Sequence, residues 1–287
     1  MGIQLSVAAV DHGLRPESAA EVHQVGEWVQ AELGLPFYAL HLSLPREGAS
    51  LQARAREARY AALRSLATSL GAQRIAVGHS QDDQAETVLE RLLRGNGLLS
   101  LSAIDPGRED GVIRPLIDCR RGELRSYARR WRLPVLEDPS NRDPRFKRVR
   151  IRHELLPMLS AENPNLVPHL ANLAEEARAL RTLLDTQARA LVDPTLEGRE
   201  HRAACLPVKL LKSAAPPLQS EGLRRWIEAT TGQRPGRAQL EAAADLLQRG
   251  AGEVWLRAGW SLWRVSDELH LEQNPSPSSE IVHRRQK

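Results

Sequence analysis

One short stretch of this sequence, GHSQDDQAETVLERLLRGNG at residues 78–97, combines a histidine with carboxylates at helical spacing. If a helix begins near residue 82, then Asp83, Glu86 and Glu90 fall at i, i+3 and i+7 on one exposed side. Carboxylates in a first turn also stabilise any helix through its dipole, which is the simpler interpretation. His79 comes directly before this helix, so its imidazole is expected close to the carboxylates. A carboxylate pair suits a primary ammonium, and an imidazole can transfer protons near neutral pH.

A second stretch, EDPSNRDPRFKRVRIRHELLP at residues 137–157, is strongly basic. Pro139 and Pro144 disfavour a helix in its first half, so the basic side chains are expected on a loop. Such a patch neutralises phosphates and binds nucleic acid without reading its sequence. A loop tied down by Arg–Asp pairs is the alternative. Six of the eleven residues from 142 to 152 are basic: Arg142, Arg145, Lys147, Arg148, Arg150 and Arg152.

Positive charge is concentrated in one part of the chain. Residues 114–152 contain thirteen Lys or Arg against five Asp or Glu, a net charge of +8, whereas the whole chain carries +4. Most of these residues are arginines, whose planar guanidinium suits bidentate phosphate contacts. Charge alone leaves both a nucleic-acid surface and an ordinary solvated face open.

Composition excludes several classes of protein. Two cysteines, Cys119 and Cys205, are too few for a zinc site or iron–sulfur cluster held by cysteines alone, and we predict no metal held by the protein. No apolar run approaches the roughly eighteen residues that span a bilayer, and the start of the chain lacks the basic flank of a signal peptide. We therefore expect a cytoplasmic protein without membrane contact.

The elements that position these stretches follow from the apolar periodicity. Strands are predicted at residues 3–10, 37–42 and 74–80, with helices between them, and a further strand and helix at 111–117 and 120–131. This alternation predicts an α/β domain with a parallel sheet, running to about residue 160. The helix near residue 82 is predicted to bury Ala85, Val88, Leu89, Leu92 and Leu93.

The second half of the chain has a different pattern. A long amphipathic helix is predicted at 165–191, a loop and short helix within 205–232, another helix at 237–248, and short strands beyond residue 252. We interpret residues 161–272 as a second, smaller and mainly helical domain. Residues 273–287 have the composition of a disordered tail.

These motifs and their order resemble one known family. The resemblance is to the bacterial tRNA(Ile)-lysidine synthetases, members of the N-type ATP-pyrophosphatase (PP-loop) group. It is strong over about residues 5–160 and looser over 165–272, where the family has a helical tRNA-contacting domain. The stretches that carry it are AVDHGLRPES, SLQARAREARYAAL, GHSQDDQAETVLERLLRGNGLLSL, IRPLI and EDPSNRDPRFKRVRIRHELLP.

The resemblance implies a two-step reaction. ATP, as substrate and with Mg²⁺, adenylates C2 of the wobble cytidine of tRNA(Ile) with a CAU anticodon, and the ε-amine of L-lysine then displaces AMP. His79, Asp83 and Glu86 match the family's helix-initiating motif and are predicted to be catalytic. In the family the acidic pair is associated with holding lysine, which agrees with the ammonium interpretation above.

The resemblance also assigns residues around this centre. The basic segment corresponds to a loop that approaches the tRNA, so its six basic residues are predicted tRNA contacts. Asp11 and His12 fall on the second-strand motif, beside the nucleotide. Arg56, Arg59 and Tyr60 match a helix that frames the same cleft.

Three features depart from the family pattern. Ser80 stands where a second histidine is usual, and Val149 where the basic loop usually has Asn. The family's opening strand and SGGxDS phosphate loop do not occur in these 287 residues. We expect that the strand at 3–10 is the second of its sheet and that the start was placed too late, a shortened gene product being the alternative. In the family the first strand lies between the strand at 3–10 and the one near 74–78. Without it, these two strands are expected either to have unpaired edges or to pair with each other.

Two other functions compete with the ligase, whose activity in a chain without the loop is expected to be small. One is a non-catalytic tRNA-binding remnant. The other is a tRNA-thiolating relative on the same scaffold, which is disfavoured because that chemistry commonly uses cysteines and Cys119 and Cys205 match no such arrangement.

Overall fold

The computed structural model of this chain describes residues 2–11, 13, 17–42, 51–135, 143–196, 203–249 and 252–273. They group into two compact units, Met1–Ala177 and Arg178–Lys287. The two units divide within a long helix, Leu166–Leu196. The domain boundary predicted at residue 160 lies before that helix. His12, Arg142 and the predicted tail from residue 274 onward lie outside the described residues, whereas Gln273 ends a strand.

The first unit alternates strands and helices, as predicted. Its elements are β1 (Val7–Asp11), α1 (Ser18–Trp28, extended by a π-helical turn to Leu33), β2 (Phe37–His41), α2 (Leu51–Ser69), β3 (Ile75–Ala76), α3 (Gln81–Leu93), β4 (Val112–Ile113) and α4 (Arg121–Arg130). They are followed by α5 (Lys147–Arg150), a π-helical turn (Ile151–Leu155), α6 (Leu156–Glu162) and the start of α7 (Leu166–Leu196).

The strands of this unit pair in parallel, which confirms the predicted α/β class. In one sheet β1 pairs with β2 from Val7 opposite Phe37 to Asp11 opposite His41, and in another β3 pairs with β4. Within the described ranges these remain separate two-stranded sheets. Among the described strands, β1 and β3 do not pair with each other.

The first strand is shorter than predicted. Residues 3–6 are not in a strand, and the side chains of Ile3 and Leu5 are 87% and 59% exposed. The reason is that β1 has its partner on one side, where β2 begins at the level of Val7. Among the described residues, no strand lies beside the apolar residues ahead of that level.

The second half of the basic segment is helical from residue 147 onward, so the predicted loop is wrong there. Residues 143–146 form a turn, but Lys147–Arg150 and the following π-helical turn continue into α6. Pro144 lies ahead of the first helical turn, where proline does not break a helix. Arg148 and Arg152 are therefore one helical turn apart on the same face.

We call the helical residues 147–155 the basic helix. An apolar cluster joins it to α3. Ala85 and Val88 on α3 are completely buried together with Ile151, and they pack with the first part of α7. Ile151 lies between the two arginines that face α3, so the apolar contact sets how close the basic and acidic helices come. The predicted buried face of α3 is right for Ala85 and Val88.

The other end of α3 differs from the prediction. Leu92 and Leu93 are 45% and 57% exposed rather than buried. The cluster covers only the first part of the helix, and α3 ends at Leu93, before Gly95 at a positive φ of 68°.

The second unit combines the end of α7 with three helices and a four-stranded antiparallel sheet in the order β5-β8-β7-β6. Leucines of the sheet and Trp226 form one buried core with the helices. The three predicted C-terminal strands are present. The elements are β5 (Ala203–Pro207), α8 (Val208–Lys212), α9 (Pro216–Thr231), α10 (Arg237–Arg249), β6 (Gly252–Trp255), β7 (Trp260–Val265) and β8 (Glu268–Gln273).

The sequence analysis missed one strand, β5. It is only five residues long and runs into α8, so its apolar residues were assigned to a loop. Its pairing with β8 joins residues far apart in sequence, from Ala203 opposite Glu272 to Pro207 opposite Glu268. No helix among the described residues has the length and apolarity to cross a bilayer.

Replacing Ile151 by alanine should lower the free energy of unfolding by about 2–5 kcal/mol, because it leaves a cavity beneath the basic helix. Met158→Ala on α6 is the matched control, since Met158 is 60% exposed and its truncation should change stability by less than about 0.5 kcal/mol. Urea denaturation measures both. Equal losses in the two variants would show that Ile151 does not anchor the helix.

Candidate functional site

The start of α3 is fixed by a capping box. Ser80 is the N-cap, its hydroxyl accepts from the Asp83 amide at 3.3 Å, and Asp83 Oδ2 accepts from the Ser80 amide at 2.8 Å and from its hydroxyl at 2.7 Å. The simpler interpretation of Asp83, stabilisation of a helix start, therefore holds for one of its oxygens. Ser80, which departs from the family pattern, has this local structural role.

Three arginines converge on Asp83 and Glu86. Glu86 is 0% exposed and Asp83 is 14% exposed, so the predicted exposed acidic side of α3 is wrong for Glu86. Glu86 Oε1 accepts from Arg121 Nη2 at 2.8 Å and Arg152 Nε at 2.7 Å, and Oε2 from Arg148 Nε and Arg152 Nη2, both at 2.9 Å. Asp83 Oδ1 accepts from Arg121 at 3.1 Å, Arg148 at 2.9 Å and Arg152 at 3.4 Å.

This network keeps both carboxylates ionised. Burial acts to raise the pKa of Asp83, but hydrogen bonds from Ser80 and the charge of Arg148 outweigh it and hold that pKa below its ordinary value. Burial acts in the same direction on Glu86, and hydrogen bonding to Arg152 with the charges of Arg121 and Arg148 lowers its pKa overall. Three guanidinium charges thus face two carboxylates. Each of the four carboxylate oxygens already accepts a hydrogen bond, so an added ammonium has to displace a donor that is now bound.

Arg121 was missed by the sequence analysis. It is the first residue of α4, and its amide donates to Asp82 Oδ2 at 2.7 Å while the Gln81 amide donates to the Cys119 carbonyl at 2.9 Å. These bonds dock the N-terminus of α4 beside that of α3. The signal available beforehand was only that Arg121 belongs to the densely basic part of the chain.

His79 lies directly before this capping box. Its Nδ1 is buried without a hydrogen-bond partner among the described residues. Burial and then the charge of Arg114 lower its pKa to about 4, so the imidazole is neutral at pH 7 instead of titrating near neutrality as expected. The catalytic assignment of His79 stays a prediction.

A strongly basic cleft of about 940 Å³ opens beside this centre. Arg56 and Arg59 of α2, Arg114 and the basic helix line it together with His79. Neither Asp83 nor Glu86 is part of the lining, so the carboxylates lie behind the guanidinium groups that they bind. Such a concentration of guanidinium groups suits a polyanion.

Tyr60 supports one wall of the cleft. It is 3% exposed, and the guanidinium carbons of Arg56, Arg59 and Arg108 lie 5.1, 5.4 and 5.2 Å from its ring centroid. These are cation–π distances. The predicted trio of Arg56, Arg59 and Tyr60 is therefore divided: both arginines line the cleft, while Tyr60 is buried beneath them.

Asp11, the described one of the two residues predicted to lie beside the nucleotide, is outside the cleft lining. Asp11 is 7% exposed and accepts hydrogen bonds from the Ser18 hydroxyl, the Gly13 amide at 2.9 Å and His41 Nδ1 at 3.3 Å. The bond from Ser18, followed by that from Gly13, holds its pKa below the ordinary value. Asp11 therefore ties the end of β1 to the start of α1 and does not line the cleft.

The five described basic residues of this segment separate into two groups. Lys147, Arg148 and Arg152 line the cleft. Arg145 pairs with Asp143 at 2.6 Å, and Arg150 Nη1 donates to the Pro144 carbonyl at 2.6 Å, so these two tie down their own turn. The alternative of a loop fastened by Arg–Asp pairs thus applies to part of the segment.

Comparisons with known proteins identify the family. Residues 1–159 match the PP-loop domain family, and residues 206–270 match the TilS substrate binding domain. The chain is 37% identical to the tRNA(Ile)-lysidine synthase of Rhodopseudomonas palustris, over 87% of this chain and 73% of that protein. For the Salinispora arenicola enzyme the identity is 34%, over 94% of this chain and 82% of that protein. The chain belongs to the tRNA(Ile)-lysidine synthase family.

Two further matches concern the length of the chain relative to its family and its fold. The chain is 46% identical to the tRNA(Ile)-lysidine synthase of Solibacter usitatus over 62% of its own length, but it spans only 40% of that protein. A U34-tRNA thiolase from Methanococcus maripaludis has a TM-score of 0.50 at 15% identity, covering 61% of this chain and 63% of that one. It supports the PP-loop fold alone. The resemblance and fold class inferred from the sequence are confirmed.

Glu86→Gln should lower the free energy of unfolding by about 2–3 kcal/mol at pH 7. Removing the charge leaves buried guanidinium groups short of a partner, and the cost is below that of a fully buried pair because the arginines are partly exposed. Glu90→Gln is the matched control on the same helix, because Glu90 makes a single i,i+4 pair with Arg94. Urea denaturation should show less than about 0.5 kcal/mol for the control. Similar values for both would remove the special role of Glu86.

The stability difference between wild type and Glu86→Gln should depend on pH in one direction. Because the folded pKa of Glu86 lies below the ordinary 4.5, its stabilisation is fully present above about pH 5.5 and is lost as pH falls through the folded pKa. Denaturation curves at several pH values between 3 and 7 measure this. A difference that grows as the solution is acidified would contradict it.

Proposed function

We propose that this chain performs the family's reaction: ATP-dependent ligation of L-lysine to C2 of the wobble cytidine of tRNA(Ile). The observation that carries the proposal is the arginine-lined cleft of about 940 Å³, backed by a charged carboxylate pair and bordered by a neutral histidine. ATP, pyrophosphate and RNA are all polyanions, so one cationic cleft suits every phosphate-bearing species of the reaction. Since the substrate is tRNA, we place the reaction in the cytoplasm.

The arginines have two separable roles in this scheme. Arg56, Arg59 and Arg114 bind phosphate groups along the cleft. Arg148 and Arg152 are held in place by Asp83 and Glu86, so they face the reacting nucleotide already oriented when charge develops during adenylation. A carboxylate pair behind them preserves their geometry without adding negative charge to the cleft wall.

His79 gains a proton-transfer role only when substrate is bound. Its low pKa is caused first by burial and then by Arg114, with further depression from Arg56 and Arg148. Phosphates bound to these arginines offset their charge and raise the pKa of His79 toward its ordinary range. The neutral imidazole then accepts a proton from the ε-ammonium of lysine, whose amine attacks C2 as AMP leaves.

Asp83 and Glu86 remain our proposed lysine-binding pair. Both are engaged by guanidinium groups, so the ammonium reaches them only by displacing an arginine, for which Arg148, 37% exposed, is the outermost of the three. Mg²⁺ prefers oxygen ligands, and all four oxygens of Asp83 and Glu86 already accept hydrogen bonds, so this carboxylate pair does not fit a protein-held Mg²⁺. We propose that Mg²⁺ enters bound to ATP.

The decisive experiment measures incorporation of radiolabelled lysine into a tRNA(Ile) transcript with a CAU anticodon. Incorporation should require ATP and vanish when the wobble cytidine is replaced by uridine. Asp83→Asn should raise the KM for lysine at least about tenfold with little change in tRNA affinity. If the chain binds this tRNA but transfers no lysine, the non-catalytic tRNA-binding remnant is the better description.

Arg148→Ala should weaken tRNA binding and reduce the slope of log K against log salt by about 1, because one phosphate contact is lost. Arg74→Ala is the matched control, because Arg74 is an exposed arginine directly before β3 and does not line the cleft. Filter binding at several salt concentrations measures both slopes. Equal slopes in wild type and Arg148→Ala would remove Arg148 from the RNA interface.

A further inference from the structure

One face of the β5-β8-β7-β6 sheet carries chemistry that the ligase reaction does not use. Leu206, Leu269 and Leu271 point into the core of the second unit. Because side chains alternate along a strand, Cys205 and His270 lie on the opposite face. These two residues are direct partners across the β5–β8 pair.

The sulfur of Cys205 and Nδ1 of His270 are 3.1 Å apart. On the other side of the imidazole, Nε2 lies 3.5 Å from Glu268 Oε2. One donor atom from each of these three residues lies within 4.8 Å of the others. A cysteine sulfur, an imidazole and a carboxylate thus meet on two neighbouring strands.

The imidazole is held in a fixed plane. Trp263 of β7 is its direct partner across the strand pair, and the two rings stack with centroids 4.5 Å apart and planes 16° apart. His270 is therefore enclosed by cysteine on one strand and tryptophan on the other. A preoriented ring loses little freedom when it binds a ligand.

We propose that Cys205, His270 and Glu268 form a zinc site in the second unit. Sulfur, nitrogen and oxygen donors are the set that Zn²⁺ prefers, and three protein ligands leave a fourth, solvent-facing position for water. Tetrahedral zinc with ordinary bond lengths separates a thiolate sulfur and an imidazole nitrogen by about 3.6 Å. The observed 3.1 Å requires only a small opening of the pair.

Glu268 is suited to complete the site. Its side chain is 54% exposed, so it can change rotamer toward the ion without disturbing the core. Removal of its charge therefore weakens binding.

The site would fasten an edge strand. β5 pairs only with β8 in the described sheet, and Cys205 and His270 are 65 residues apart in sequence. A metal that binds the folded sheet and not the unfolded chain stabilises this pairing, and the gain grows with the logarithm of the free metal concentration above its Kd. This role is independent of the cleft in the first unit.

The test is metal binding by the full chain after removal of bound metal with a chelator. Co²⁺ should bind at one ion per chain with a thiolate-to-cobalt charge-transfer band, and Zn²⁺ should displace it. Cys205→Ser and His270→Gln should abolish this band, and Glu268→Gln should weaken binding about tenfold or more. Cys119→Ser, which alters the chain's other cysteine, should behave like wild type.

Thermal unfolding provides a second readout. Low-micromolar Zn²⁺ should raise the Tm of wild type and of Cys119→Ser but not that of Cys205→Ser, with circular dichroism verifying that each variant is folded. If a variant does not fold, alkylation of the cysteine in Cys119→Ser protein should abolish cobalt binding. Absence of a charge-transfer band in wild type, or its persistence in Cys205→Ser, would overturn the zinc site and leave a simple Cys–His hydrogen bond.

Discussion

The burial of the Glu86 carboxylate is the constraint on which the architecture of the first unit depends. An ionised carboxylate with no exposed surface is stable only when its charge and lone pairs are met by donors. Glu86 meets this requirement with four guanidinium hydrogen bonds from three arginines. These arginines come from α4 and from the basic helix, so one buried charge determines where two distant segments must lie against α3.

Apolar packing makes that arrangement possible. Ile151 is completely buried against the apolar side of α3. The arginines next to it in sequence carry the positive charge of the basic helix. A helix can present an apolar face and a charged face at the same time, because residues three or four positions apart lie on the same side. The hydrophobic contact therefore brings arginines and carboxylates together, and ion pairing fixes their orientation. The capping box of Ser80 and Asp83 sets where α3 begins and hence where both carboxylates sit.

The electrostatic result is a cleft whose surface is positive although its rear wall contains two negative charges. Arginines supported from behind by carboxylates, and from below by the ring of Tyr60, present their remaining donors outward. The same positive charges, added to burial, keep His79 neutral in the absence of a bound anion. Polyanion binding, arginine positioning and the state of the imidazole are therefore one coupled electrostatic system. In this structure Asp83 and Glu86 contact the arginines that line the cleft and are not part of its lining.

The sequence by itself determined the features that depend on local pattern: the alternating strands and helices, the helix that begins near His79, and the family to which these motifs belong. Periodicity, helix caps and short motifs are properties of neighbouring residues, so they can be read without coordinates. Only the tertiary structure decided that Glu86 is buried, that Arg121 joins Arg148 and Arg152 around it, and that Asp11 serves a turn. It also decided that Leu92 and Leu93 are exposed and that β5 completes the second sheet. These outcomes depend on contacts between segments tens of residues apart, and a periodic pattern specifies that a face is apolar or charged without specifying which other face will meet it.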